Sequence, residues 1–244
     1  MAASDGGNVG VSIGGYTRDR KPFVYVDFTA GTWGARSFAD GLEGNSNLFV
    51  NLASQSIEVT EREQPFQVPR YELAPDRAGA GKFRGGVPFY RDYRILAESA
   101  IMQCRADRQT VRPYGLFGGR AGKPGESMLH PDGNPRRVTS KITMEAKRGD
   151  VFRYVLAGGG GWGDPLERDP LAVLRDVRNE LVSQRSAREE YGVIVDTRAW
   201  TVDGPATDAR RTELRTARKA PIPDVVWDDD GSPTPFPAPV EPRP

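Results

Sequence analysis

The sequence predicts a mostly β chain of the α+β class: antiparallel sheets with glycine-rich loops, a short two-helix C-terminal unit and an extended Pro-rich tail. Three observations predict it. Residues 21–29 (KPFVYVDFT) and 140–146 (SKITMEA) alternate along the chain, the two-residue period of a strand with one buried face. Turn signals such as Pro131-Asp132-Gly133-Asn134 and Arg148-Gly149-Asp150 recur roughly every 8–12 residues. Past residue 169 the period changes, and Leu171, Leu174, Val177, Leu181 and Val182 fall at helical spacing.

Residues 1–20 are rich in Gly, Ser and Asp and read as a loop or N-terminal arm. Residues 21–29 are the first strand. The next stretch, 31–47 (GTWGARSFADGLEGNSN), is too long for a hairpin turn and too charged for a core, which is the profile of a functional or partner-facing loop. Short apolar or β-branched runs follow at 48–53 and 56–59, then a Pro-bounded strand at 68–73. Two tight glycine segments come next, Gly79-Ala80-Gly81 and Arg84-Gly85-Gly86. Residues 87–96 and 99–105 read as two antiparallel strands, 105–112 as a basic connection and 113–125 as another glycine-dense loop. Strands at 140–146 and 151–156 complete the β pattern. Asp169 followed by Pro170 starts a helix with proline at its first position. Ser183 caps a second short helix that contains Ala187 and stops at Gly192, and 193–195 is a last strand. The chain divides into an arm (1–20), a domain (21–196) and a tail (197–244). The tail either wraps a partner, with Trp227 and Phe236 as anchors, or stays without a core of its own.

Composition excludes several classes. The chain has 244 residues, and 34 Lys and Arg nearly balance 33 Asp and Glu, so nothing suggests a general nucleic-acid or membrane binder. A single cysteine, Cys104, rules out an internal disulfide framework and reads as a buried small hydrophobe. No apolar run approaches the roughly 18–20 residues of a membrane span. Residues 1–15 lack the basic start and apolar stretch of a secretory signal, so the expected location is the cytoplasm.

Candidate chemistry is thin. Gly158–Gly163 (GGGGWG) satisfies G-x-G-x-x-G after a strand, with Glu180 at a tolerable distance for a ribose acid. Asp164-Pro165 argues against it, placing an anion and a residue without an N–H where a pyrophosphate needs donors, and a glycine crossover under Trp162 accounts for the run better. His130, the one histidine, sits in a turn with no nucleophile elbow nearby. One His and one Cys cannot furnish a zinc or transition-metal set, although Asp40, Glu43, Glu58 and Glu61 offer oxygens to a hard cation. Lys82 and Arg84 among exposed glycine N–H groups can hold an anion or carboxylate. They fit equally a tight crossover that pairs with acids nearby, the reading that residue chemistry favours. Arg84, Arg91, Arg94, Arg105, Arg108 and Arg112 form a run of cations expected to be solvated or to face a partner or an anionic substrate.

Several segments together resemble the hydantoinase B family, whose members are subunits of ATP-dependent hydantoinases and 5-oxoprolinases and of related acetone and acetophenone carboxylases. They are residues 31–44 (GTWGARSFADGLEG), 57–86, 105–125, 140–170 (SKITMEAKRGDVFRYVLAGGGGWGDPLERDP) and 191–196 (YGVIVD). The resemblance covers about residue 20 to residue 196 and only the C-terminal portion of such a subunit. It implies a split piece of a B-type subunit that acts on a cyclic amide or carboxylates a ketone only in a hetero-oligomer. The expected partners are an N-terminal B-type subunit carrying the metal ligands and a hydantoinase A-type ATP-binding subunit, so that ATP and a divalent metal bind there and not to this chain. Where it approaches an active site, charge and glycine density point to Glu61, Arg62 and Arg84 as catalytic and to Gly31, Gly34, Arg36 and Asp40 as substrate-binding. The alternative is a non-catalytic assembly subunit that clamps its neighbours.

Overall fold

A computed structural model describes residues 1–7, 9–29, 31–45, 53–218 and 224–227. Its elements are β1 (Val9–Tyr16), β2 (Pro22–Thr29), α1 (Ile57–Glu63), β3 (Phe66–Gln67), β4 (Tyr71–Leu73), β5 (Phe89–Ile95), β6 (Ser99–Arg105), β7 (Gly115–Leu116), β8 (Glu126–Leu129), β9 (Arg136–Arg137), β10 (Lys141–Lys147) and β11 (Val151–Val155). After a single 3-10 turn, Pro165–Glu167, come α2 (Pro170–Arg178), α3 (Gln184–Glu189), β12 (Val195–Asp196), β13 (Thr201–Val202), α4 (Gly204–Ala217) and β14 (Val225–Val226).

Two antiparallel sheets face each other. One has the order β10-β6-β1-β2; the other runs β3-β5-β11-β8-β9, with β4 also on β5. Strands 89–95 and 99–105 are antiparallel strands but not partners: β5 pairs with β11, and β6 pairs with β1 and β10. Each of the tight links at 96–98 and 148–150 therefore carries the chain from one sheet to the other. The links lean on one another, Gly149 N–H donating to Ile95 O and Arg148 N–H to Glu98 O. Alternation turns Val9, Val11, Ile13, Tyr25, Met102 and Cys104 inward against Phe66, Tyr93, Ile95, Leu129 and Phe152. Phe66 joins the sheets, its ring centroid 5.0 Å from Tyr25 and 5.8 Å from Tyr93. Burying each such side chain contributes about 1.5–3 kcal/mol. Cys104 is fully buried here, and burial pushes its thiol up to about 12.

Beside the sandwich lies a second interior made of backbone. Residues 157–163 run extended through its centre, walled by residues 2–3, 33–35, 77–86 and 113–123. The N–H groups of Gly158, Gly159, Gly160 and Gly161 donate to Lys123, Gly86, Ala3 and Arg120 carbonyls at 2.9–3.0 Å. Glycine is required for the approach itself. A Cβ on Gly160 would stand 2.0 Å from Tyr114 O, and one on Gly158 1.8 Å from Arg77 O.

A small apolar cluster, Val173, Val177, Val182, Ala187, Tyr191 and Val193 with Ala80, holds α2 and α3 against this glycine bundle. Asp169 caps α2 by accepting from Leu171 N–H at 3.0 Å, and Ser183 caps α3 through Ser186 N–H, as the sequence indicates. Of the expected stripe, Val177 and Val182 are buried in this cluster and Leu174 packs against it; Val173 joins them, while Leu171 is 65% exposed.

Four local expectations change. Residues 1–20 are not a loose arm, since β1 is an inner strand and Ala2, Ala3 and Asp5 are buried in the glycine bundle. The β-branched run at 56–59 is helical, because the Ser56 hydroxyl caps α1 by accepting from Val59 N–H. Of the strand expected at 68–73 only Tyr71–Leu73 forms, as β4; Pro69 separates it from β3, which ends at Gln67. In the tail, α4 forms and Trp227 packs at a tilt against Tyr114 of its own chain, 5.0 Å between ring centroids, while β14 pairs with β7. Phe236, most of the run at 48–53 and the end of the tail lie outside the described residues.

Candidate functional site

Residues 31–45 fold back on themselves as a flap. Asn45 N–H donates to Gly31 O, Trp33 N–H to Leu42 O and Arg36 N–H to Ala39 O, so the residue pairs close stepwise towards a tip at Ser37 and Phe38. Bonds that fasten the flap to the glycine bundle include Thr32 Oγ1 to Ala157 O, Ala35 N–H to Gly160 O, Ala2 N–H to Ala35 O, Gly86 N–H to Trp33 O and Gly41 N–H to Arg84 O. Gly31 and Gly34 are packing positions in this frame. A Cβ on Gly31 would strike the Asp5 carboxylate, and one on Gly34 would stand 2.1 Å from Ala2 O.

Under the flap the charges interlock. Asp40 accepts from Arg84 N–H at 2.7 Å and, through both oxygens, from the Arg168 guanidinium at 2.6 and 2.8 Å. Arg168 also bonds Asp176 of α2 at 2.7 Å. Arg84 lies 2.7 Å from Glu43 and 3.5 Å from Asp176. Two cations thus neutralise all but one of three acids. Arg84 and Arg168 are almost fully buried, so the cluster is stable only while it stays complete. Burial opposes the charge on Asp40, yet the Arg168 bonds and the nearby Arg84 hold its carboxyl below the usual range. Burial likewise opposes the charge on Arg84, and Asp176 and Glu43 raise its pKa above the ordinary value. Both residues remain ionised at neutral pH.

The seven expected site residues part into groups. Arg36, Asp40 and Arg84 come together: Arg36 donates from Nη2 to Asp40 O at 2.9 Å and lies over the exposed Phe38 ring, 5.4 Å from its centroid. Gly31 and Gly34 form the neck and base of the same flap. Glu61 and Arg62 lie elsewhere, on α1. Glu61 accepts from Val68 N–H at 2.7 Å, tying α1 to the segment after β3, and Arg62 is exposed beside Glu63. A cleft of about 340 Å³ is lined by Asp40, Lys82, Phe83, Arg168 and Arg175.

Arg168 and Asp176 escaped sequence reasoning. The signal was there, because Asp176 stands between Val173 and Val177 on the buried side of α2 and a charge in that position needs a partner. Asp5 was missed too. It is buried against Gly31 with one oxygen unpaired, and burial raises its carboxyl to about 7.

Other readings resolve the same way. Arg91, expected on a solvated or partner-facing surface, is fully buried beside Asp27 and the Tyr71 ring, and Arg84 is buried as described. His130 is a half-exposed turn residue with φ +50°, 3.5 Å from Asp150. The glycine run offers a pyrophosphate none of its four consecutive N–H groups, all being bonded to carbonyls. Among the described residues no group of three or more His, Cys, Asp or Glu is placed to hold a metal, and no helix is long and apolar enough to cross a membrane.

The family model described as hydantoinase B/oxoprolinase matches residues 1–165. The chain belongs to the hydantoinase B/oxoprolinase family. The match includes the buried Ala2, Ala3 and Asp5. A putative D-/L-hydantoinase B-type chain of Pseudomonas sp. (strain NS671) is 32% identical over 71% of this chain and 30% of its own length. The beta chain of the caprolactamase of Pseudomonas jessenii is 32% identical over 86% of this chain and 38% of its own. The crystal structure of the ATP-dependent caprolactamase from that organism superposes with a TM-score of 0.71 at 28% identity, over 86% of this chain and 38% of that one. A nucleotide-free acetone carboxylase shares the fold, with a TM-score of 0.76 at 23% identity over 90% of this chain and 35% of that one. The chain therefore spans about a third of the length of these family members.

Proposed function

We propose that this chain is the C-terminal portion of a B-type subunit in an ATP-dependent hetero-oligomer that hydrolyses a cyclic amide of the hydantoin, oxoproline or lactam kind. The single observation that carries this is the family match over residues 1–165 together with relatives named as hydantoinase and caprolactamase subunits. Carboxylation of a ketone is the neighbouring outcome, supported by weaker likeness to acetone and acetophenone carboxylase subunits. In this reading ATP and a divalent metal are bound by partners, an A-type ATP-binding subunit and an N-terminal B-type polypeptide, and the chain works in the cytoplasm.

Its own part is to hold the flap at 31–45. Arg36 is half-buried near the tip, its Nη2 bonded to Asp40 O and the exposed Phe38 ring beside it, while Asp40, Arg84 and Arg168 hold the flap from below. Gly31 and Gly34 let the flap lie flat on the bundle. Glu61 braces α1, and Arg62 is a surface cation of that helix available to a partner's acid. A purely structural clamp is the second reading. It is favoured by one observation: the buried charges are spent on each other.

The test is a native mass and metal analysis of the complex this chain forms in its source cells, followed by turnover of hydantoin, oxoproline and caprolactam with ATP. Recovery with A-type and B-type polypeptides, bound metal and ATP-dependent ring opening supports the proposal. A chain recovered alone and free of metal rejects it. In the active complex Arg36→Ala separates the two readings, because a clamp loses no turnover.

A further inference from the structure

The outer face of the four-stranded sheet carries an apolar trough. Its floor is β1, where the outward positions are Gly10, Ser12 and Gly14. One wall is β2, whose outward residues Val24, Val26 and Phe28 are 75%, 51% and 50% exposed; on the other side β6 presents Ile101, 52% exposed. Register places Phe28 beside Gly10, Val26 beside Ser12 and Val24 beside Gly14, with Ile101 across from Gly14. β2 is also the last strand of its sheet among the described residues. An edge strand of alternating aromatic and β-branched residues without an outward charge on its Val24–Phe28 stretch is one that folded proteins ordinarily cover.

The glycines say that the cover is a polypeptide. In the glycine bundle a Cβ would collide with backbone at about 2 Å, so those glycines are explained within the chain. Gly10 and Gly14 are different. A Cβ there would meet its nearest atoms at 3.8 and 3.4 Å, ordinary contact. Glycine in a strand interior weakens the strand and marks close approach by a ligand or another backbone. No segment of the described chain makes that approach from outside.

We infer that this trough is where the rest of the B-type subunit docks, through a segment with an aliphatic face laid along Gly10, Ser12 and Gly14 between Val24, Val26 and Ile101. The occupant follows from length. Relatives of this chain are more than twice as long, and the part they have in addition is the polypeptide for which an apolar, glycine-floored trough, flanked at its Gly10 end by the exposed Arg105 of β6, is fitted. This rests on the proposed function, since it names the surface by which that partner is held.

The experiment replaces Val24 with p-benzoylphenylalanine in the assembled complex, with Leu171 replaced likewise as an exposed control on α2. Irradiation is expected to link position 24 to peptides of a hydantoinase B-family polypeptide from the portion this chain does not span, and position 171 not to. In parallel, the Val24→Lys/Val26→Lys variant is expected to lower the yield of that polypeptide at least tenfold while the Tm of the isolated chain stays within about 2 °C. Gly10→Ala/Gly14→Ala is expected to leave the chain at least as stable and to weaken the same association. Cross-links to a second copy of this chain, to an A-type subunit or to lipid, or an undiminished yield with the lysine pair, overturn the docking and leave the proposed function standing. A complex with no such B-family polypeptide overturns both.

Discussion

The two interiors of this molecule fill space in opposite ways. In the sandwich, Phe66, Tyr93, Phe152 and Met102 interdigitate across some 10 Å between sheets, and stability grows with the atoms buried. In the glycine bundle the filling is main chain: carbonyls of Arg77, Trp33 and Tyr114 sit where Cβ atoms would be, and hydrogen bonds between unlike segments replace side-chain contacts. The lesson is one of sign. Removing atoms harms the first interior and adding them harms the second. The N–H groups of Gly158 to Gly161 are all bonded within the bundle, so its density of glycine marks rigidity, and the flap at 31–45 inherits that rigidity.

The largest effect is expected in the sandwich. Phe66→Ala removes a ring that touches both sheets and should lower unfolding free energy by about 4–5 kcal/mol in urea titration. A change under about 1 kcal/mol would mean the sheets are not joined through it. Next comes the seam between the regions' N-terminal parts. Asp5 has a raised folded pKa of about 7 against an unfolded value near 3.9, so its contribution is intact below about pH 4 and is lost as pH rises through 7. That loss is on the order of 4 kcal/mol, and Asp5→Asn should flatten the stability profile between about pH 4 and 7.

Arg168→Met tests the charge cluster beneath the flap. It strips Asp40 and Asp176 of their shared cation and should cost about 3 kcal/mol, with partial recovery when Asp176→Leu is added. Gly160→Ala sharpens the comparison most simply. One added methyl against Tyr114 O should destabilise by about 2–3 kcal/mol, whereas Gly133→Ala, with nothing within 4 Å, should stay within about 0.5 kcal/mol. Equal effects at the two glycines would dissolve the distinction.

The sandwich was legible because alternation survives in the sequence, in 21–29 and 140–146 above all. The caps of α2 and α3 were legible for a local reason too: Asp169-Pro170 and Ser183 act on backbone within three residues. The bundle was not. Gly79 and Gly85 read as turns or a tight crossover, Gly119 as part of a loop and Gly158 as part of a glycine crossover, but no local pattern reveals that five segments far apart in sequence will meet. The exchange of sheets at 96–98 and 148–150 was hidden for the same reason, because two adjacent strands predict a hairpin on proximity alone. At the candidate site the family-bearing loop at Arg36 and Asp40 stood out by charge and glycine. Its supporting partners, Arg168 and Asp176, lie more than a hundred residues away and needed the fold to be found.

Amide hydrogen exchange at Gly158, Gly159, Gly160 and Gly161 tests the central claim most directly, namely that the glycine run is a packed core and not a nucleotide loop. Protection matching that of Phe152 and Tyr154 in β11, unchanged by added ATP or NAD, is the predicted result. Exchange as fast as that of a solvated loop, or protection that arises only with nucleotide, would contradict it.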